Sequence, residues 1–177
     1  ELNNPAAATR RAAEQLRDAF VRLEEAYLIR DQVTFSAAAS AMLVEFEQKA
    51  RAAAGKPDEL DGLARSDRES AIEEWLDARE VQDSWRIAPA LVAAEIDETL
   101  LERAAANMEG AALNAVLAWV GAAYPVHALA YEVGQGSSRI SEIVGALKSY
   151  SYLGQAPVQA VDVREGLNNT LIILRSV

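Results

Sequence analysis

The chain has no cysteine and a single histidine. The first absence removes disulfides, thiolate metal sites and cysteine nucleophiles. The second removes any multi-histidine metal site built within one chain. Glycine and proline are scarce, at nine and five in 177 residues, so few positions interrupt a helix. Cations are the minority charge, 17 Lys and Arg against 27 Asp and Glu, for a net charge of −10. A nucleic-acid surface needs clustered Lys and Arg and is not expected. The start is acidic, with no basic segment before an apolar run, so no secretory signal is expected either.

Ala and Leu supply much of a 51% hydrophobic composition. Together with Glu, Gln and Arg they are the strongest helix formers, which points to an all-α chain. The length suits one domain or two small ones, with enough residues to bury a core. One stretch, Ala111 to Tyr131, carries no formal charge over 21 residues, long enough to cross a bilayer. It also holds Asn114, Gly121, Pro125 and His127. Polar groups are costly at membrane depth, so the expectation is a buried bundle helix and no membrane span.

Along the chain, Leu16, Phe20, Leu23 and Tyr27 step by four, three and four, a bundle-facing stripe on a first helix that reaches about Leu28. Asp31 to Thr34 reads as a break, and a second helix ends near Gly55 before a turn at Lys56 and Pro57. Between Asp58 and Glu80 nine acids face three arginines; such a run is ordinarily a solvated face, with a docking surface for a basic partner as the functional alternative. Within it, Ser66 to Glu69 has capping-box spacing ahead of Ile72, Trp75 and Leu76. A short helical piece surrounds Pro89, and Asp97 reads as the N-cap of the next helix, to about Met108. From Ala111 the helical pattern continues until Pro125 kinks it or Gly134 to Ser138 breaks it. Ile140, Val144 and Leu147 then repeat the seam spacing of the first helix. Ser151 to Pro157 reads as a turn, Val158 to Val163 as a short strand, and a last helix begins at Arg164. Two seam helices flanking a helical excursion suit an antiparallel hairpin that dimerises into a four-helix bundle, with an inserted helical subdomain.

The opening ELNNP resembles the H-box of two-component sensor histidine kinases, in which a phosphoacceptor His precedes an acid and often Leu-x-Asn-Pro. The matching residues are Glu1, Leu2, Asn4 and Pro5, with the histidine expected immediately before Glu1. Arg139 to Leu174 independently resembles the second dimerisation helix, linker and start of the ATP-binding domain of that family. The layout implied is 1–30 as first dimerisation and phosphotransfer helix, 31–110 as inserted subdomain, 111–153 as the long second arm, and 154–177 as linker and start of the ATP-binding domain.

The resemblance implies a cytoplasmic protein-histidine kinase that autophosphorylates with ATP and Mg²⁺ and passes the phosphoryl group to an aspartate on a response-regulator receiver domain. Its partners would be a second copy, that receiver and its own ATP-binding domain. Glu1 matches the general base that takes up the imidazole's other proton. Asn4, a helical turn beyond the histidine, matches the position that orients a water for dephosphorylating the partner. Pro5 removes a backbone donor and bends the helix at the reactive turn. The chain alone, without the histidine or the ATP-binding boxes, is expected to be catalytically silent and to hold neither ATP nor metal. Asn168 and Asn169 precede the family's nucleotide-binding asparagines and read as ordinary helix residues.

Simpler readings stand beside these. Glu1 and Asn4 also suit a helix N-terminus, where acids and amides are favoured. His127 lies on an apolar stripe with no acid beside it in sequence and reads as a core or interface histidine. Trp75, Trp85 and Trp119 read as core aromatics, and Tyr150 and Tyr152 as packing residues near the hinge to the ATP-binding domain. The competing function is a non-enzymatic helical scaffold whose acidic insertion binds a partner.

Overall fold

A computed structural model describes residues 4–56, 60–152 and 163–174. Over these residues the chain is all-α: α1 Pro5–Asp31, α2 Ala37–Ala53, α3 Gly62–Asp77, α4 Ser84–Ala93, α5 Glu98–Ala105, α6 Ala111–Tyr152 and α7 Val163–Leu174, with no strand among the described residues. The strand expected over Val158 to Val163 lies outside them except for Val163, which opens α7. The turn expected from Ser151 and the side chains of Tyr150 and Tyr152 also fall outside what is described, save that α6 runs to Tyr152. The chain divides into two compact units, one within Glu1–Glu14 and Glu132–Val177 and the other over Gln15–Tyr131.

In Gln15–Tyr131, α2, α3 and α5 start where a side chain can satisfy an orphan backbone N–H, whereas α4 starts after Asp83 without a side-chain cap. Ser36 Oγ accepts from Ala39 N at 3.1 Å, Asp61 Oδ1 from Ala64 N at 2.8 Å, and Asp97 Oδ1 from Leu100 N at 2.9 Å. The Asp97 cap agrees with the sequence pattern. The Ser66 cap does not: Asp61 starts α3 five residues earlier, and Ser66 is interior. Both starts turn Ile72, Trp75 and Leu76 inward, so periodicity does not separate them. The core is built from Phe46 of α2, Leu76 of α3, Leu91 of α4, Leu101 of α5 and Val116, Leu117 and Val120 of α6, joined by Ile96 from the α4–α5 turn. α6 is long and apolar enough to cross a membrane by length and composition. Its first three turns instead bury Leu113, Val116, Leu117 and Val120 in this core.

Two helix ends use the same closing motif. Val81 N donates to Leu76 O and Glu80 N to Asp77 O, while Ile96 N donates to Leu91 O and Glu95 N to Val92 O. This six-to-one plus five-to-two pattern is the Schellman arrangement, and in each case the apolar residue after the turn is buried with the helix residue whose carbonyl it caps. The turn residue must be left-handed, and here it is a glutamate both times, Glu80 at φ 57 and Glu95 at φ 56. Lys56 Nζ donates to both carboxylate oxygens of Glu95 at 2.8 Å.

The seam of α1 differs from the expected stripe. Its buried residues are Ala12, Ala19 and Ala26, seven apart, with Leu16 and Leu23 half-buried between them. Phe20 and Tyr27 are 48% and 46% exposed. Alanines on the inward line let a neighbouring helix come close and displace the larger side chains to the edge. Trp85 also departs from expectation, at 65% exposure. Ile87, Ala88 and Leu91 fill the inner face of α4, and Trp85 shares the outer face with the in-helix Pro89.

Glu80→Gly tests the turn geometry. Removing the Cβ from a left-handed position is expected to stabilise the fold by about 1 kcal/mol, read as a higher urea midpoint at unchanged slope. A lower midpoint would show that Glu80 contributes through its side chain instead.

Candidate functional site

The motif residues fall at the start of α1. Glu1 lies outside the described residues. Asn4 is the N-cap: its Oδ1 accepts from Ala6 N at 3.1 Å and from Ala7 N at 3.3 Å. Its backbone carbonyl accepts from Ala8 N. Pro5 is the first helical residue, the position where a proline lacks only a donor that has no partner anyway. The geometry at Asn4 is thus that of a cap, the simpler of the two readings for this residue.

One turn on, Thr9 Oγ1 donates to Pro5 O at 2.7 Å. Gly136 of α6 faces this pair. A Cβ placed on Gly136 would lie 2.0 Å from Thr9 Oγ1 and 3.2 Å from Thr9 Cβ. Gly136 therefore lets the two helices touch at the turn that carries the motif. No local pattern marks it; a glycine next to Ser137 and Ser138 reads as a breaker, yet α6 continues through it and through Pro125. Beside this contact an open cleft of about 540 Å³ is lined by Pro5 and Thr9 from α1 and by Glu132, Gln135, Arg139 and Glu142 from α6, among others. It gathers acids, an amide and a guanidinium along the first two turns of α1. It contains neither a histidine nor a cysteine, and among the described residues no three His, Cys, Asp or Glu side chains group as a metal site.

His127 belongs to Gln15–Tyr131 and is half-buried in α6. Burial lowers its pKa below the usual 6.5, the Arg51 guanidinium on α2 lowers it further, and Glu47 on the same helix opposes both. An acid does therefore face it, across helices and out of sequence reach. Glu47 Oε1 in turn accepts from Trp119 Nε1 at 2.6 Å. Arg30 lies over the Trp119 ring at 4.1 Å and over Tyr27 at 4.9 Å. This group ties α1, α2 and α6 together. A second group joins α3 and α5: Trp75 Nε1 donates to Glu102 Oε1 at 2.7 Å and Arg79 stacks on Trp75 at 3.9 Å. The carboxylate partners lie 72 and 27 residues away in sequence, so only the rings themselves could be noted beforehand.

Comparison with protein-family models, with curated proteins and with solved structures found no match in any of the three.

His127 supplies a pH dependence. Its folded pKa is lowered, so the unfolded chain takes the proton more readily. The stability it contributes is present above pH 6.5, falls as the pH drops below that value, and levels off beneath the folded pKa. His127→Gln is expected to flatten the urea midpoint between pH 7.5 and pH 5.5 relative to the unsubstituted chain. Parallel slopes in the two proteins would contradict the assignment.

Proposed function

We propose that this chain is the dimerisation and histidine-phosphotransfer region of a sensor histidine kinase. The observation that carries the reading is the order of its two motif segments, ELNNP at the head of α1 and GQAPVQAVDVREGLNNTL after α6. Three structural features support it. Pro5 opens a long helix with Asn4 immediately outside it. Residues of α1 meet residues of α6 inside each unit taken by itself, Thr9 against Gly136 in one and Tyr27 against Trp119 in the other. Val144 and Leu147, on the expected seam of α6, are 44% and 49% exposed, as a face covered by a second copy would be in a single chain.

In this reading the histidine ahead of Glu1 takes the γ-phosphoryl group of ATP, with Mg²⁺ held by the ATP-binding domain, and a receiver-domain aspartate accepts it next. The imidazole is the nucleophile, so its other nitrogen must hold or lose a proton in step with transfer, which is the role of the Glu1 carboxylate. Phosphoryl transfer rests mainly on positioning and charge stabilisation, and the α1–α6 contact at Thr9 and Gly136 holds the reactive turn. Asn4 would orient water for the reverse reaction through its Nδ2–H₂ donors while Oδ1 goes on accepting from Ala6 N and Ala7 N.

The test is incubation of the protein, extended at both ends by its native flanking residues, with labelled ATP and Mg²⁺. The expected result is acid-labile, base-stable label that vanishes when the residue before Glu1 is replaced and whose rate of appearance falls at least about a hundredfold in Glu1→Gln, the low end of what a general base contributes. A folded protein that binds no ATP would overturn the reading in favour of a helical scaffold.

A further inference from the structure

Within Gln15–Tyr131, two arginine–tryptophan stacks share their parts and differ in one. In the first, Trp75 Nε1 donates to Glu102, and the stacked Arg79 closes the triangle by donating from Nη2 to both oxygens of the same carboxylate at 2.8 and 3.0 Å. In the second, Trp119 Nε1 donates to Glu47, and Arg30 stacks on Trp119 and Tyr27. Here the triangle stays open. No carboxylate among the described residues lies within ion-pair distance of Arg30.

The two rings stand 6.3 Å apart at 58° to each other, so the guanidinium is flanked by two aromatic faces. Stacking of this kind holds the plane of an arginine and strips water from its faces while leaving the N–H edge to hydrogen-bond. Among the described residues no buried side-chain nitrogen or oxygen lacks a partner, so the Arg30 donors reach solvent. A planar fork held in place is matched by a carboxylate, which it engages through two parallel N–H···O bonds. Arg51 also lies near Glu47, since both act on His127. Arg30 thus carries an open guanidinium edge in a chain whose overall balance is strongly negative. Glu47 beside the ring disfavours a doubly charged phosphate, and Glu102 on Arg79 is the precedent for a single carboxylate.

We propose that Arg30, held between Tyr27 and Trp119, is a carboxylate-binding site, the ligand seating on the guanidinium edge as Glu102 does on Arg79. The site is independent of the phosphotransfer reading and asks for no reaction, only recognition of an anion that arrives free or on a polypeptide.

The experiment is an NMR titration of the chain with sodium succinate, against sodium chloride at matched ionic strength, observing the arginine Nε–H and tryptophan indole N–H signals. The expected result is a saturable shift of the Arg30 Nε–H and Trp119 indole signals, with a midpoint on the order of 1–10 mM, the range of a few kcal/mol of binding. The Arg79 signal, whose carboxylate is already in place, should stay still. Arg30→Lys keeps the charge but loses the fork, and should abolish the Trp119 shift while the Trp75 signal confirms an intact fold. An acidic tripeptide that binds at least tenfold more tightly than succinate would assign the anion to a polypeptide; equal binding would assign it to a free carboxylate. Equal shifts with chloride, no saturation, or equal movement of Arg30 and Arg79 would overturn the site.

Discussion

How closely α1 can lie against α6 governs most of what this chain can do. At Thr9 and Gly136 the helices meet with no room for even one added methyl group, and Thr9 Oγ1 is tied back to Pro5 O, so the contact includes the turn that carries the motif. Along α1 the buried residues Ala12, Ala19 and Ala26 stand seven apart. Small residues on a helix seam give up side-chain burial, each alanine contributing less apolar area than a leucine. They gain backbone proximity in return. The larger apolar side chains of α1 are displaced outward as a result, which is why Phe20 and Tyr27 remain partly exposed.

The Gln15–Tyr131 unit meets a different difficulty. Its short helices carry little intrinsic stability, since isolated helices of fewer than about 12–15 residues are marginal in water. α4 and α5 have 10 and 8 residues. They are held by closed helix ends and by a shared core that includes the first turns of α6. Tryptophan N–H groups reach carboxylates on neighbouring helices, so the large rings pack without leaving a polar atom unpaired. Those bonds place Arg30, Arg79 and His127 in defined surroundings, which turns structural aromatics into candidate sites.

The sequence showed what depends on local chemistry. The break near Asp31, the cap at Asp97 and the short helix around Pro89 all follow from residues that act within a few positions of themselves. It misled where a distant partner decides. Ser66 and Asp61 compete for one helix start, and both put the same apolar residues inward. Gly134, Gly136 and Pro125 are helix breakers by propensity, yet α6 runs through all three, and at Gly136 a close helix contact shows a tertiary use of the kind that propensity scales omit. Trp85 is apolar and still faces outward, because Ile87 and Leu91 already occupy the inner side of α4. At the candidate site the motif was legible and the contact that supports it was not: Asn4 and Pro5 are read from the order of residues, whereas Gly136 acquires its meaning only from Thr9.

The account turns on that contact, and a double-mutant cycle measures it. Gly136→Ala in the unsubstituted chain must push Thr9 off its bond to Pro5, and is expected to destabilise by about 1–2 kcal/mol. In a Thr9→Ala background the obstructing oxygen is gone. Only the Cβ contact at 3.2 Å remains, so the same change should then cost at least about 1 kcal/mol less than in the unsubstituted chain. If Gly136→Ala stabilises the unsubstituted chain as it would an exposed helix, the two helices do not meet at the motif, and the positioning of the reactive turn fails with them.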